Sequence, residues 1–196
     1  GPLALPPRIE HVQLLNPDDL PRFAALGVWA SMQPQHATSD ARAATAAWGT
    51  RCALAYPWRS LAERGVPLAF GSDAPVEPPR PALGLHASLT RTRPDGTPAG
   101  GFVPEQCIGL DVALRAYTEG AAALAGLAGI LGTLQPGAEA DLVIWDRDLH
   151  ATAPDGVQAA RPAVTVLGGE IVYESPGAGA ATALAATARG SDDDRP

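Results

Sequence analysis

Apolar and polar positions alternate along this chain in short blocks of two kinds. Arg8 to Leu15 (RIEHVQLL) is a largely apolar run with polar interruptions and predicts a strand. Asn16-Pro17-Asp18-Asp19 follows, offering a capping side chain, a proline suited to the first helical position, and two acids for the positive end of the helix dipole. This predicts a helix to about Leu26, closed by Gly27. Val28 to Gln33 predicts a second strand, Ala-rich residues 38–48 a helix, and Pro57 to Arg64 a short helix closed by Gly65. Pro67 to Phe70 predicts a third strand that runs into Gly71-Ser72-Asp73. Leu83 to Arg91 reads as helical, residues 94–104 as a Gly/Pro-rich loop, and Leu110 to Leu127 as one or two helices. Strand and helix thus recur in units of about 20–35 residues, the signature of parallel strands joined by crossover helices.

The pattern changes near Thr133. Ala140 to Trp145 and Ala163 to Tyr173 read as strands, with Gly168-Gly169 as a hairpin turn inside the second run. Past Ser175 the composition is Ala, Gly and Ser with an Asp run, which predicts a disordered tail. Three regions result: an α/β part over 1–131, a β segment over 132–174, and a tail over 175–196.

Composition narrows the function. The 196 residues suit one domain, or one with a small appendage. Apolar residues reach 46 %, but alanine fills 39 positions, so the core is assembled from many small contributions. All 14 basic residues are Arg and the net charge is −7, leaving no basic surface to neutralise phosphates and arguing against a nucleic-acid partner. No apolar run approaches the roughly 18–20 residues of a membrane span, and no N-terminal segment follows the plan of a signal peptide. Cys52 and Cys107 form no disulfide framework and are read as inert. A cytoplasmic protein without membrane partners is the expectation. Residue 1 is Gly, the only Met is Met32, and residues 1–7 read like an interior loop.

In parallel α/β folds, reactive groups collect at the C-terminal ends of strands. His11, the segment Gln33-Pro34-Gln35-His36, and Asp73 each fall at such an end. Singly, each has an ordinary structural explanation: a hydrogen-bonded core histidine, a surface loop histidine, a helix cap. Jointly, two His and one Asp at equivalent strand ends suit a divalent metal such as zinc. Glu10 is placed on the opposite face of its strand from His11. Arg91 and Arg93 read as solvated helix-end charges, His86 and His150 as surface histidines, and Asp141 as a turn or cap residue.

RIEHVQ (8–13), MQPQH (32–36), YPWRSL (56–61), FGSDAPV (70–76), ALRAYTEGAA (113–122) and GTLQPGAEADLVIWD (132–146) occur in that order. Together they resemble the C-terminal part of amidohydrolase family 3, the branch that includes N-substituted formamide deformylases, over about residues 8–174. The resemblance implies an α/β fold, the C-terminal part of a (β/α)8 TIM-like barrel (about strands 6–8), followed by part of a small β-sandwich. It implies hydrolysis of non-peptide C–N bonds, amide or formamide, in a small molecule by metal-activated water, with zinc the preferred divalent metal. It implies that His11 and Asp73 are metal ligands at the ends of the sixth and eighth strands, that Asp73 is also the catalytic proton shuttle, and that His36 is substrate-binding. The residue types fit that chemistry. A bound divalent ion lowers the pKa of its water from about 15.7 toward roughly 7, and a neighbouring carboxylate can carry the proton to the leaving nitrogen.

The family's His-x-His and the ligands of its fourth and fifth strands have no counterpart here. A whole barrel takes about 250 residues, and this chain supplies about three of the eight strands. The expectation is a portion of an amidohydrolase whose partner is the missing N-terminal portion of the barrel. Alone, an open parallel sheet is expected to be poorly stable or aggregation-prone, to bind metal weakly or not at all through two ligands, and to be inactive. The alternative is a non-catalytic remnant serving as a binding or assembly module. A serine hydrolase lacks its G-x-S-x-G signature.

Overall fold

The computed structural model describes residues 5–177; the tail expected over 175–196 lies, beyond residue 177, outside the described residues. Arg8–Glu10 (β1), Trp29–Met32 (β2) and Leu68–Phe70 (β3) form a parallel sheet in the order β1-β2-β3. Ile9, Ala30 and Leu68 stand side by side, as do Glu10, Ser31 and Ala69. Because successive strand residues face opposite sides, Ala30, Met32, Leu68 and Phe70 share one face, and all are buried. Arg8, Glu10 and Ser31 share the other. β1 is shorter than the predicted run because His11 and Val12 turn into the left-handed region, with φ of 67° and 42°. The peptide of His11 still donates to Ser31 O at 2.7 Å.

The helices follow the local signals, with one informative break. Asn16 accepts from the Asp18 amide at 3.1 Å, opening a 3-10 turn over Pro17–Asp19 that continues into α1 (Leu20–Ala25). The helix predicted over 38–48 is instead two, α2 (Pro34–Ser39) and α3 (Ala41–Trp48), with Asp40 between them. Pro34 supplies the fixed φ of a first helical position after extended Gln33, so helix begins upstream and takes in His36. Next come α4 (Trp58–Ala62) and α5 (Pro81–Thr90). Leu110 to Leu124 is one helical run: α6 (Leu110–Arg115), a π turn over Ala116–Gly120, and α7 (Ala121–Leu124).

The helix-facing side of the sheet packs on an edge-to-face aromatic ladder, Trp58 to Phe70 to Tyr117, with centroids 5.9 and 5.6 Å apart. Arg91, expected as a solvated charge, is instead fully buried. Its guanidinium lies 4.2 Å from the Trp58 ring centroid. It donates to Phe102 O at 2.5 Å and to Tyr56 O and Ala55 O, each at 3.0 Å. Burial draws its pKa down to about 10, which leaves it a cation at neutral pH. His86, expected at the surface, is also buried, with its ring nitrogens facing Pro154 O and Arg93 O at 3.2 and 3.3 Å. Arg91 is held by carbonyls 11 to 36 positions away, and His86 by Pro154 O 68 positions away together with Arg93 O and the hydroxyls of Thr90 and Thr92; no local pattern announces the distant partners.

Gly120 of the π turn has a packing reason. Pro67 O accepts from the Ala30 amide at 3.1 Å, so the next carbonyl, Leu68 O, points away from β2. A Cβ on Gly120 would stand 2.0 Å from that oxygen. Backbone of a buried strand cannot yield cheaply. Gly120→Ala is therefore expected to destabilise the chain by about 2–3 kcal/mol, read as a fall of roughly 5–10 °C in Tm. An unchanged melting curve would show that the turn repacks freely.

Leu142–Trp145 (β4), Pro162–Leu167 (β5) and Glu170–Glu174 (β6) form an antiparallel sheet in that order. Gly168 and Gly169, with φ of 56° and 82°, make the predicted hairpin turn. Asp141 takes the expected turn role by accepting from the Gly168 amide at 2.7 Å. The segment between β4 and β5 anchors this sheet to the α/β part, burying Leu149, Val157 and Ala160. His150, exposed as expected, pairs with Asp111 of α6 at 2.9 Å. Val143, Ile144, Leu167, Val172 and Tyr173 stay exposed, and among the described residues no further sheet covers them. Among the described residues no helix is long and apolar enough to cross a membrane.

Candidate metal centre

Three loops leave the C-terminal ends of the parallel strands, and each carries one of the predicted residues. His11 follows β1 directly, His36 sits in the first turn of α2 just past β2, and Asp73 lies in the turn after β3. A ring nitrogen of each histidine and a carboxylate oxygen of Asp73 all lie within 4.8 Å of one another. The two imidazoles are nearly parallel, at 19°, with centroids 5.7 Å apart.

Backbone geometry aims these side chains. His11 and Asp73 both have positive φ, 67° and 55°. That region is uncommon for non-glycine residues, though His and Asp enter it more readily than most. Such conformations persist where the surroundings over-determine them. Here the parallel strands fix one side of each loop, and side-chain bonds fix the other. Gln35 Nε2 donates to Pro78 O at 3.2 Å and Ser39 Oγ to Glu77 Oε1 at 2.5 Å, tying α2 to the loop after β3.

A second tie joins α2 to the loop after β1. Gln13 Nε2 donates to Asp40 Oδ2 at 3.1 Å and lies 3.0 Å from the Tyr56 hydroxyl. Tyr56 itself donates to Asp40, and its amide donates to Gln13 O at 3.0 Å. Burial, helped by the Asp40 carboxylate, pushes the Tyr56 phenol well above its usual pKa, so it remains a donor. The partners are 16 to 43 positions apart, which is why sequence reasoning did not single out Gln13, Asp40 or Tyr56.

The donor set fits a divalent cation. Gln33 Oε1 accepts from His11 Nδ1 at 2.9 Å. A carbonyl oxygen can only accept, so Nδ1 carries the hydrogen and Nε2 keeps its lone pair for a metal. His36 is 7 % exposed, and its Nε2 is buried without a hydrogen-bond partner. An unsatisfied buried polar atom costs about 1–3 kcal/mol. Asp73 is exposed at the mouth of the cluster, open to water. Two imidazole nitrogens and a carboxylate oxygen suit zinc, and also manganese or iron. Cys52 and Cys107 stay outside the cluster as free thiols, and burial pushes the Cys107 thiol up, away from the reactive thiolate.

Reactive side chains converging at the C-terminal ends of parallel strands define the layout of barrel-type α/β hydrolases. Residues 2–173 match the amidohydrolase family, and the chain belongs to that family. It is 35 % identical over 168 residues to the protein LONG AFTER FAR-RED 3 of Arabidopsis thaliana, a match that takes in 85 % of this chain and 28 % of the relative. It is 29 % identical over 122 residues to an N-substituted formamide deformylase of Arthrobacter pascens, taking in 62 % of this chain and 22 % of that one. Among solved structures, an uncharacterized metal-dependent hydrolase of Pyrococcus horikoshii superposes with a TM-score of 0.66 at 31 % identity, over 78 % of this chain and 31 % of that one. The chain spans less than a third of the length of each of these proteins.

Proposed function

We propose that this chain forms one wall of the active site of a metal-dependent hydrolase that cleaves non-peptide C–N bonds, amide or formamide, in a small molecule. The observation that carries this reading is the convergence of His11, His36 and Asp73 from three parallel strand ends. The likeness to an N-substituted formamide deformylase supports the substrate class. A purely assembling role leaves that convergence without a purpose.

In this reading His11 and Asp73 hold a divalent ion, zinc by donor set. Bound there, the ion supplies an acidified water and polarises the carbonyl. Asp73 does the proton work. Its carboxylate takes a proton from the water as the new C–O bond forms, then delivers it to the nitrogen as the C–N bond breaks. Its exposure fits a group that must meet both water and substrate. Gln33 holds His11 in the tautomer that keeps Nε2 free.

The partner is the remainder of the barrel, in the same polypeptide or another. Two features support this. The outer edge of β1 pairs with no strand among the described residues, and the β4–β6 sheet exposes apolar residues. The test joins this chain to a polypeptide supplying the remaining barrel strands and their His-x-His, then follows formate release from an N-substituted formamide. Turnover that appears only on joining, and vanishes with a chelator, is the expected result. Turnover indifferent to the chelator, or absent across amides and formamides alike, would sink the proposal.

A further inference from the structure

We propose that His36 is a third metal ligand, so that this chain by itself carries a complete three-donor site for a borderline divalent cation such as Zn2+ or Co2+. The inference rests on the reading of His11 and Asp73 as ligands. It departs from the substrate-binding role that the family resemblance implies for His36.

The first support is the state of the His36 ring. It is 93 % buried, counted as the complement of its 7 % exposure, yet its Nε2 meets no donor or acceptor. Neighbouring polar side chains are already engaged with other partners: Gln33 with His11, Gln35 with Pro78 O, and Thr38 with Gln35 O. A buried ring nitrogen left in this way is matched by a cation when the hydrogen sits on the other nitrogen.

The second support is geometry. The His11 and His36 rings lie side by side and nearly parallel, and a nitrogen of each lies within 4.8 Å of the other and of an Asp73 oxygen. Ligand atoms sharing one tetrahedral ion at roughly 2.1 Å stand roughly 3.4 Å apart. Closure thus asks for a movement of about an ångström. Asp73, exposed on its loop, has room to swing its carboxylate toward the two ring nitrogens. The two histidines are held in place already, His11 by Gln33 and the backbone pair to Ser31, and His36 by a helix tied down at Asp40.

The third support is the count. A catalytic zinc site takes three protein ligands plus water; His11 and Asp73 alone leave the third to the His-x-His of the joined barrel, whereas His36 supplies it within this chain. With His36 as ligand, the ion is held before any other barrel strand arrives, and the water position faces the open side of the cluster at Asp73.

The experiment uses this chain, stripped of metal with a chelator and titrated with Co2+, then with 113Cd2+ after 15N labelling. Visible ligand-field bands should saturate at one Co2+ per chain. Ring nitrogens of both His11 and His36 should show one-bond coupling to 113Cd. His11→Ala, His36→Ala and Asp73→Ala should each weaken Co2+ binding by at least the roughly 10–100-fold that loss of even an orienting partner costs. The coupling measurement on the unmutated chain stands even if a variant fails to fold. Coupling to His11 alone, with unchanged affinity in His36→Ala, overturns the proposal and returns His36 to the substrate, leaving the hydrolase reading intact. Failure of the unmutated chain to bind either cation overturns it as well, because the claim is that these three residues suffice. Binding that survives all three variants marks an adventitious site and overturns both this proposal and the assignment of His11 and Asp73.

Discussion

Asp73→Asn in the completed barrel is expected to lower kcat by roughly 10³-fold or more, within or beyond the 10²–10⁴-fold usual for a positioned proton-transfer group. The substitution is nearly isosteric. Asn tolerates the left-handed backbone at least as well as Asp, so the φ of 55° at this position is no obstacle. The fold should be untouched, and Tm with it. What is lost is the negative charge and the ability to take a proton from water and give it to nitrogen. An amide oxygen is also the poorer donor to a divalent cation. Both losses fall on kcat more than on KM, because the proton moves only on the way to the transition state. The check is steady-state kinetics on both proteins beside their thermal melts. A kcat within tenfold of the parent would remove Asp73 from the reaction and leave it a loop residue.

The largest stability effect is expected at Arg91. Arg91→Met should destabilise the chain by about 2–5 kcal/mol, the cost of leaving buried carbonyls without a donor at about 1–3 kcal/mol each. Two effects oppose each other here. Desolvation penalises the guanidinium, as its pKa near 10 records. Against it stand three hydrogen bonds, to Phe102, Tyr56 and Ala55, and the face of Trp58. Met fills the space but leaves Phe102 O and Ala55 O without their donor, each costing about 1–3 kcal/mol when buried, while Tyr56 O keeps the Trp58 amide at 2.9 Å. The hydrogen bonds win. Arg91→Lys should recover part of the loss, since an ammonium cannot span three carbonyls with a planar fork. Urea unfolding, compared at equal m-value, measures this. Equal midpoints for Arg91→Met and the parent would mean that desolvation cancels the bonds. The effect reaches the candidate metal centre too: Arg91 holds Tyr56 O, and the Tyr56 amide and hydroxyl hold Gln13 and Asp40 beside His11 and His36.

Much of this was legible in the residue pattern because it is local. Asn16 and Pro17 mark a helix start, Gly168-Gly169 mark a turn, and both act within a few residues. The positions of His11 and Asp73 were readable because strand ends in parallel folds are where reactive groups gather. The shortness of β1 was not readable, since the reversal at His11 and Val12 is imposed by loop packing rather than by propensity. Nor was the split at Asp40, because the Ala-rich run after it gives no sign that a separate helix, PQHATS, precedes it. The burial of Arg91 and His86 depends on carbonyls of loops far along the chain, and a side chain's own neighbours carry no trace of them.

The parallel sheet has one further consequence, for symmetry. Its two edges differ: β1 is bare, while the π turn rests against Leu68 on β3. Two copies can join their bare β1 edges about a two-fold axis, which stops at a pair, whereas β1 of one copy against β3 of the next is a heterologous contact that ends only if rotation closes a ring. Each copy brings three strands, and no whole number of such copies makes the eight strands at which this kind of barrel closes. Self-association of the chain on its own thus has no eight-stranded end point. In the hydrolase proposed above, a complement of five strands brings the count to eight and covers the bare β1 edge.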